Sequence, residues 1–213
     1  SPDFNQVAKY ADHWISINAG QDGAWWMAVN HVLLKEFHHE RQVPYFIDYT
    51  KKYTDAPFLV ELKEDKGIFE AGQLLRANRL QKYSNVENGD WKFLMWDETA
   101  LQPKMPMGSV GHRWGTEKGK WNLVLNDGVD GTAIDPKITF LNSGDGVARV
   151  RFDDFGEGRN LIREVPVKKI RTSDGKTVTV ATVYDLLMAQ YGVSRGLMGD
   201  YPKDYDDENF AYT

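Results

Sequence analysis

Residues 17–40, with the sequence INAGQDGAWWMAVNHVLLKEFHHE, begin with a glycine-flanked turn and continue for nearly twenty residues without a helix breaker. This run predicts a helix over residues 23–40. Its apolar residues, among them Trp25, Trp26 and Phe37, cover most of the helix circumference. A helix that is apolar nearly all round packs against neighbours on more than one side, so we expect this helix to be enclosed by other elements.

After residue 57 the sequence changes to short strand-like runs between glycine-rich or charged turns. A hairpin is expected at 165–180, where Asp-Gly supplies the turn signal. A last helix is expected at 183–191, capped by Thr182 and ended by Gly192. The other expected elements are helices at 5–11 and 44–53 and strands at 12–18, 58–62, 91–96, 120–125 and 148–152.

The order of these elements is helices first, then a strand-rich region, then one helix, without strict alternation. The sequence therefore predicts an α+β fold that is cut from a larger α/β protein. We expect three parts, 1–56, 57–181 and 182–213, of which the middle one is a strand-rich insertion and the last returns to the first domain. The chain begins in a short helix with no strand ahead of it and stops where an apolar run, FAYT, is starting. Both features lead us to expect an internal fragment.

Charge and composition exclude several classes of protein. The formal net charge is −5, with acidic residues concentrated at 200–208, so the chain lacks the basic surface through which proteins bind nucleic acid. It contains no cysteine, hence no disulfide and no thiolate of its own for an iron–sulfur cluster. No run of about eighteen apolar residues occurs, so the sequence predicts no membrane-spanning segment.

The turn Gly20-Gln21-Asp22-Gly23 before the long helix is the candidate binding site. A helix N-terminus presents unpaired N–H groups and a partial positive charge that suit an anion, and glycine lets a ligand approach the backbone closely. Asp22 would then accept two hydrogen bonds from an edge such as guanine N1–H and N2–H, worth about 1.5–3 kcal/mol. Alternatively, Asp22 only caps the helix, worth about 1 kcal/mol. The residues alone favour the cap.

Other residues that commonly carry chemistry fit no template in this sequence. His31 and His38 would lie about 10.5 Å apart along a helix axis, too far to bind one ion from that helix alone, so we predict neither a metal ligand nor a catalytic residue. The glycine-rich runs 115–120 and 155–160 lack the spacing of nucleotide-binding loops and are expected to be turns. Residues 200–208 lack the glycine of a calcium-binding loop and are expected to form a solvated or subunit-contact segment.

Six stretches, in this order, carry a resemblance to a known family: PDFNQVAKYADHW, AGQDGAWWMAVNHVLLKEF, VPYFIDYTKKYTDAPFLV, GSVGHRWGTEKGKWNL, VPVKKIRTSDGKTVTVATVYDLLMAQYGVSRGL and YDDENFAYT. With them the chain resembles part of the catalytic (alpha) subunit of the membrane-bound respiratory nitrate reductases, molybdenum enzymes of the dimethyl sulfoxide reductase family. The resemblance extends over essentially the whole chain and is weakest at 63–98 and 126–160.

The resemblance implies a molybdopterin oxidoreductase whose alpha subunit holds molybdenum on two molybdopterin guanine dinucleotides and reduces nitrate to nitrite. Electrons from quinol would arrive through iron–sulfur clusters, with a 4Fe-4S cluster bound outside this segment, an iron–sulfur beta subunit and a membrane gamma subunit. The partner subunits would hold the enzyme at the cytoplasmic side of the bacterial cell membrane. In this family residues 1–56 would be part of a cofactor-binding α/β domain.

The turn falls where family members carry a Gly-Thr-Asp loop that contacts one guanine dinucleotide. The resemblance therefore implies that Gly20, Gln21, Asp22 and Gly23 are cofactor contacts, with Asp22 at the guanine edge, and it reverses the preference for the cap. Gln21 replaces the usual threonine, so a hydroxyl contact from that position is not expected. The family's molybdenum ligand and cluster site lie upstream of the matched stretches, which implies that this chain alone binds no cofactor and is inactive.

Two alternatives remain at this stage. One is a sister molybdenum oxidoreductase that acts on chlorate, perchlorate or selenate. The other is a non-catalytic scaffold or subunit-interaction module, in which Trp91, Trp96, Trp114 and Trp121 anchor an interface, since tryptophan is enriched at binding hot spots; a local aromatic core explains the same residues more simply. An exposed apolar patch where other parts dock would support the fragment interpretation.

Overall fold

The computed structural model describes residues 3–107, 125–153 and 160–203. Helices precede and follow a strand-rich region, which confirms the α+β class. The helices are α1 (Asp22–Val32), which continues as a π-helix (Leu33–Glu40), α2 (Pro44–Tyr53) and α3 (Val183–Gln190). The strands are β1 (Leu59–Asp65), β2 (Ile68–Leu74), β3 (Met95–Asp97), β4 (Gln102–Lys104), β5 (Gly146–Asp153), β6 (Asn160–Arg171) and β7 (Thr177–Thr182). Short 3₁₀ helices lie at Gln6–Tyr10, Ala77–Arg79 and Gln81–Tyr83. Among the described helices, none combines the length and the apolar character that crossing a bilayer requires.

Five strands close into a barrel in the order β1-β2-β5-β6-β7. Neighbouring strands pair antiparallel except β2 and β5, which meet in parallel at Phe69 and Val150. The long strand β6 makes closure possible, because residues 160–167 pair with β5 and residues 168–171 pair with β7. Burial alternates along the middle of β5, as expected of a strand with one face in the core.

The described residues between β2 and β5, 75–107 and 125–145, pack on the barrel and include a separate two-stranded sheet, β3-β4. Its buried anchor is Asp97, whose carboxylate lies 2.8 Å from Lys104 Nζ and accepts from the Asp135 amide at 2.9 Å. Burial works to raise the pKa of Asp97, but the hydrogen bonds from Lys104 and from backbone amides hold this pKa below its usual range.

Helix α3 begins and ends as the sequence predicts. The Thr182 hydroxyl accepts from the Asp185 amide at 3.0 Å and donates to the Ile138 carbonyl at 2.7 Å, which satisfies one of the unpaired N–H groups at the helix start. Gly192, with a φ of +77°, follows the helix, where glycine takes a left-handed conformation without strain. Helix α3 packs against β6 and β7, so local capping signals position it on the barrel.

Several sequence predictions need correction. Residues 12–18 form no strand, because none of the described strands pairs with them. The strand predicted at 91–96 is regular only from 95 to 97. The helix predicted at 23–40 exists, but its second half has π geometry, and the Arg41 amide donates to the Glu36 carbonyl, five residues back. The predicted strand at 120–125 lies almost wholly outside the described residues.

Other predictions are confirmed. The hairpin around Gly175, with a φ of +82°, joins β6 and β7. The predicted helix at 44–53 is α2, and Pro44 occupies its first position as expected. A short helix is present at Gln6–Tyr10, in 3₁₀ form. The division of the chain into 1–56, 57–181 and 182–213 stays a prediction.

The helical region before the barrel is far less buried than the barrel. Between residues 3 and 53 only His31, Leu34 and Thr50 are buried. Large apolar side chains in the same region are exposed: Phe4, Val7, Tyr10, Trp14, Ile15, Trp25, Trp26, Leu33, Tyr45, Tyr49 and Tyr53. The expected enclosure of the long helix is therefore not provided by the described residues of this chain.

Candidate functional site

The Gly20–Gly23 turn is formed by local backbone geometry. The Gln21 amide donates to the Asn18 carbonyl at 3.1 Å, which closes a four-residue turn. Gly20 has a φ of +83°, a conformation that other residues adopt only with strain. A Cβ atom added at Gly20 or Gly23 would have no neighbour within 4 Å, so the backbone is open to close approach at both glycines.

Asp22 is the first residue of α1 and its side chain is exposed. Its carboxylate makes no hydrogen bond with any described residue, and Gln21, which occupies the capping position, makes no side-chain cap either. The first intrahelical hydrogen bond runs from the Trp25 amide to the Gln21 carbonyl at 3.0 Å. The predicted helix cap by Asp22 is thus absent, and the start of α1 presents N–H donors beside an unoccupied acceptor.

Two exposed indoles share the helix face of Asp22. Trp25 and Trp26 follow it by three and four residues, the spacing that makes side chains neighbours on a helix. Their rings meet edge to face, with centroids 4.9 Å apart, and Trp26 is 59% exposed. The start of α1 therefore combines backbone donors, one carboxylate and an aromatic surface.

The other end of the helical segment is anchored next to the barrel. His31 Nδ1 donates to the Tyr191 carbonyl, and Asn30 Nδ2 donates to the Tyr191 hydroxyl at 3.2 Å. Leu34 packs in a cluster that includes Tyr184 and Met188 of α3. These contacts set the direction in which α1 projects and therefore where the turn lies.

A cleft that the sequence did not indicate lies beside these contacts. It has a volume of about 200 Å³ and lies between the π-helix and the loop after α3. His31, Lys35 and His39 line one side, and Arg195 and Lys203 line the other. These groups are about 160 residues apart in sequence, and no motif links them, so only the folded structure brings them together.

The remaining candidate residues do not form a second site. Among residues 3–107, 125–153 and 160–203, no group of three potential metal-ligating side chains occurs. Trp91 is 73% exposed and Trp96 is buried, so these two do not share one surface. Trp114 and Trp121, the glycine-rich run 115–120, most of the run 155–160 and the acidic residues 204–208 lie outside the described residues.

The fold defines the class as an α+β chain in which a barrel is joined to a helical region whose long helix begins at an exposed turn. No protein-family model matches the chain. The respiratory nitrate reductase 1 alpha chain of Escherichia coli (strain K12) is 41% identical over 226 residues, covering 100% of this chain and 18% of that protein. The nitrate reductase alpha chain of Bacillus subtilis (strain 168) is 38% identical over 209 residues, covering 97% of this chain and 17% of that protein.

The chain belongs to the nitrate reductase alpha-chain family, as the resemblance indicated, and corresponds to one segment of it. It spans only 17–18% of the length of these two relatives. The perchlorate reductase subunit alpha of Dechloromonas aromatica (strain RCB) is more distant, at 25% identity over 190 residues, or 89% of this chain and 17% of that protein. The names alpha chain and alpha subunit indicate that the relatives belong to multi-subunit enzymes.

Proposed function

We propose that this chain is a segment of the molybdenum-containing catalytic subunit of a respiratory nitrate reductase, which reduces nitrate to nitrite with electrons from quinol. The single observation that carries this proposal is identity of 35–41% to nitrate reductase alpha chains over nearly the whole chain. The lower identity to a perchlorate reductase subunit favours nitrate over the sister oxyanions. The molybdenum cofactor supplies oxygen-atom transfer when bound, and its metal ligand and the 4Fe-4S cluster would come from other parts of the alpha chain.

The role proposed for this segment is to hold one guanine dinucleotide of the cofactor at the Gly20–Gly23 turn. The described geometry fits that group in two ways. The backbone at both glycines has open space where a side chain would stand, and the N–H groups at the start of α1 suit a phosphate. The Asp22 carboxylate is exposed and makes no hydrogen bond with a described residue, so both of its oxygens can accept from the guanine N1–H and N2–H pair.

A mutation in the complete alpha chain tests the role of Asp22. Asp22→Asn keeps the shape but offers only one acceptor oxygen and no charge, so the dinucleotide loses charge-assisted hydrogen bonds worth about 1.5–3 kcal/mol, or about 10- to 100-fold in affinity. The purified enzyme is assayed for molybdenum by mass spectrometry and for guanine nucleotide released by acid hydrolysis. Retention of both during dialysis should fall in the variant.

The matched control is Asp48→Asn, which removes the same charge from an exposed position on α2. Cofactor retention in this variant should equal that of the unmodified enzyme. If the Asp22 and Asp48 variants retain the cofactor equally well, Asp22 does not contact the guanine. For the isolated chain we expect titration calorimetry with GMP to show weak binding or none, because the other loops that enclose the dinucleotide would be missing; micromolar affinity would show a self-contained site.

We further propose that the exposed aromatic residues of the helical region pack against the rest of the alpha chain in the complete enzyme. Contiguous exposed apolar surface on a folded chain commonly marks an interaction site. On α2, Tyr45, Tyr49 and Tyr53 form a stripe at four-residue spacing with 44–70% exposure. An iron–sulfur beta subunit and a membrane gamma subunit would complete the enzyme and hold it at the cytoplasmic side of the cell membrane.

A further inference from the structure

The contact between the helical segment 22–40 and the barrel side of the molecule is small and rich in histidine. His31 is only 4% exposed, and its ring nitrogen reaches the Tyr191 carbonyl after α3. One turn further along, Leu34 is buried in the same interface. His38 completes the row, with its ring centroid 5.8 Å from that of Tyr184. Two of the side chains that carry this contact, His31 and His38, can therefore gain a proton.

The surroundings of His31 disfavour a positive charge. Its Nδ1–H is used by the Tyr191 carbonyl, so protonation would occur at Nε2. Two cations face the ring: Lys35 from the same helical segment and Arg163 from β6. Arg163 is itself fully buried, so its field is poorly screened by water. A charged His31 would therefore stand in the field of a buried cation.

The described surroundings of His38 provide no hydrogen-bond acceptor for its Nδ1. Its Nδ1 is buried and has no hydrogen-bond partner among the described residues. The ring lies between Phe46, at 5.4 Å, and Tyr184, at 5.8 Å between centroids. In the protonated form both ring nitrogens are donors, and a buried donor of a charged group without an acceptor is costly.

The pKa values of these histidines agree with the geometry. Burial is the largest cause that lowers the pKa of His31, and Lys35 and Arg163 lower it further against the opposing effect of the Tyr191 carbonyl. Burial also lowers the pKa of His38 and of His39, and Arg195 adds to the effect at His39 while Glu40 opposes it. The described charged and titratable groups around the three rings are Lys35, Glu40, Arg163, Tyr184, Tyr191, Arg195 and Lys203.

We propose that neutral His31 and His38 act as a pH-sensitive latch that holds the segment 22–40 against α3 and its following loop, and that mild acid releases this segment while the barrel stays folded. The released state leaves both rings in water, where they bind protons more readily than in the docked state. The docked state is therefore fully favoured above the ordinary histidine pKa of 6.5 and weakens as the pH falls below it. Each histidine reduces the docking constant by at most about tenfold per pH unit, between its undocked and its docked pKa.

Hydrogen exchange of the 213-residue chain tests the latch. Exchange is followed by mass spectrometry at several pH values between about 7.5 and 5, and the rates are corrected for the intrinsic pH dependence of amide exchange. Protection of the amides at 22–40 should fall at least tenfold between pH 6.5 and 5, whereas protection in β5 and β6 stays constant. The barrel amides thus separate release of the segment from global unfolding.

Two substitutions remove the titration and keep the contacts. His31→Asn retains a donor at the Nδ1 position, and His38→Phe retains a flat ring between Phe46 and Tyr184. In the double variant, protection at 22–40 should be independent of pH. The matched control is His13→Asn, an exposed position outside this interface, which should behave like the unmodified chain.

The proposal is overturned if protection at 22–40 in the unmodified chain is the same at pH 5 as at pH 7.5, or if the double variant loses protection as the unmodified chain does. A second measurement applies even when the variants fold poorly. Nuclear magnetic resonance titration of the unmodified chain should give pKa values below 6.5 for His31 and His38. Values at or above 6.5 would equally overturn the proposal.

Discussion

Replacing Arg163 by methionine should strongly destabilise the barrel, and with it α3 and the segment 199–201. This guanidinium is fully buried within β6. It donates from Nε to the Asp200 carbonyl at 2.7 Å and from Nη1 to the carbonyls of Ala189 and Gln190 at 2.5 and 3.1 Å. It therefore joins β6 to the C-terminal end of α3 and to the segment at 199–201. Its positive charge also complements the dipole of α3 at the C-terminal end of that helix.

The size of the effect follows from these contacts. A hydrogen bond from a charged donor contributes about 1.5–3 kcal/mol net. Burial opposes part of this gain, because it lowers the pKa of Arg163 to about 10. We therefore expect Arg163→Met to reduce the free energy of unfolding by about 3–5 kcal/mol, which corresponds to a fall in Tm of roughly 10 °C for a chain of this length.

Urea unfolding followed by circular dichroism measures this loss. The free energy of unfolding of Arg163→Lys should lie between those of the unmodified chain and Arg163→Met. A single ammonium group cannot match the planar guanidinium that reaches three carbonyls. Arg149→Met is the matched control, since Arg149 is exposed on the neighbouring strand β5, and it should change stability by less than about 0.5 kcal/mol. If Arg163→Met costs no more than Arg149→Met, the buried hydrogen bonds do not stabilise the fold and the reasoning is wrong.

Three further predictions concern buried polar groups. Thr182→Ala should cost about 1–2 kcal/mol in urea unfolding because α3 loses its cap, whereas Thr182→Ser should restore most of it. Tyr83→Phe removes the hydroxyl that donates to the buried Asp127 carboxylate and should cost about 1.5–3 kcal/mol; a cost below about 0.5 kcal/mol would contradict this. Because the folded pKa of Asp97 lies below its ordinary value of 3.8, its contribution to stability is present above about pH 4 and is lost as the pH falls through the folded pKa. Below pH 4, the unfolding free energy of Asp97→Asn should therefore change less with pH than that of the unmodified chain.

The elements that the sequence predicted correctly are those with local signals. Thr182 and Gly192 mark the ends of α3, Pro44 marks the start of α2, and an Asp-Gly turn marks the β6–β7 hairpin. In each case the residues that determine the conformation are within a few positions of it, so their identity is enough. The Gly20 turn was predictable for the same reason, because a left-handed conformation there favours glycine.

The elements that the sequence did not predict depend on distant partners. Closure of the barrel requires β2 to meet β5 at Phe69 and Val150, positions with no pattern in common. Arg163 lies on the same face of β6 as the buried residues Leu161 and Val165. No local signal indicates that carbonyls at the end of α3 and at Asp200 accept its hydrogen bonds. The apparent strand at 12–18 shows the converse, since alternation without a hydrogen-bonding partner does not make a strand.

The proposed function resides in the helical region before the barrel, and the distribution of burial gives a reason for this. Among the described residues, the barrel between β1 and β7 buries apolar side chains in its core, and capped α3 packs against it. The helical region differs, because many of its aromatic side chains remain exposed. Its described contacts with the rest of the chain include those around His31 and Leu34 and the ion pair between Lys51 and Asp135. Such an arrangement suits the proposed role of the turn. The contacts around His31 fix one end of the long helix, and the exposed end that bears Asp22 would be enclosed by the cofactor and the surrounding alpha chain.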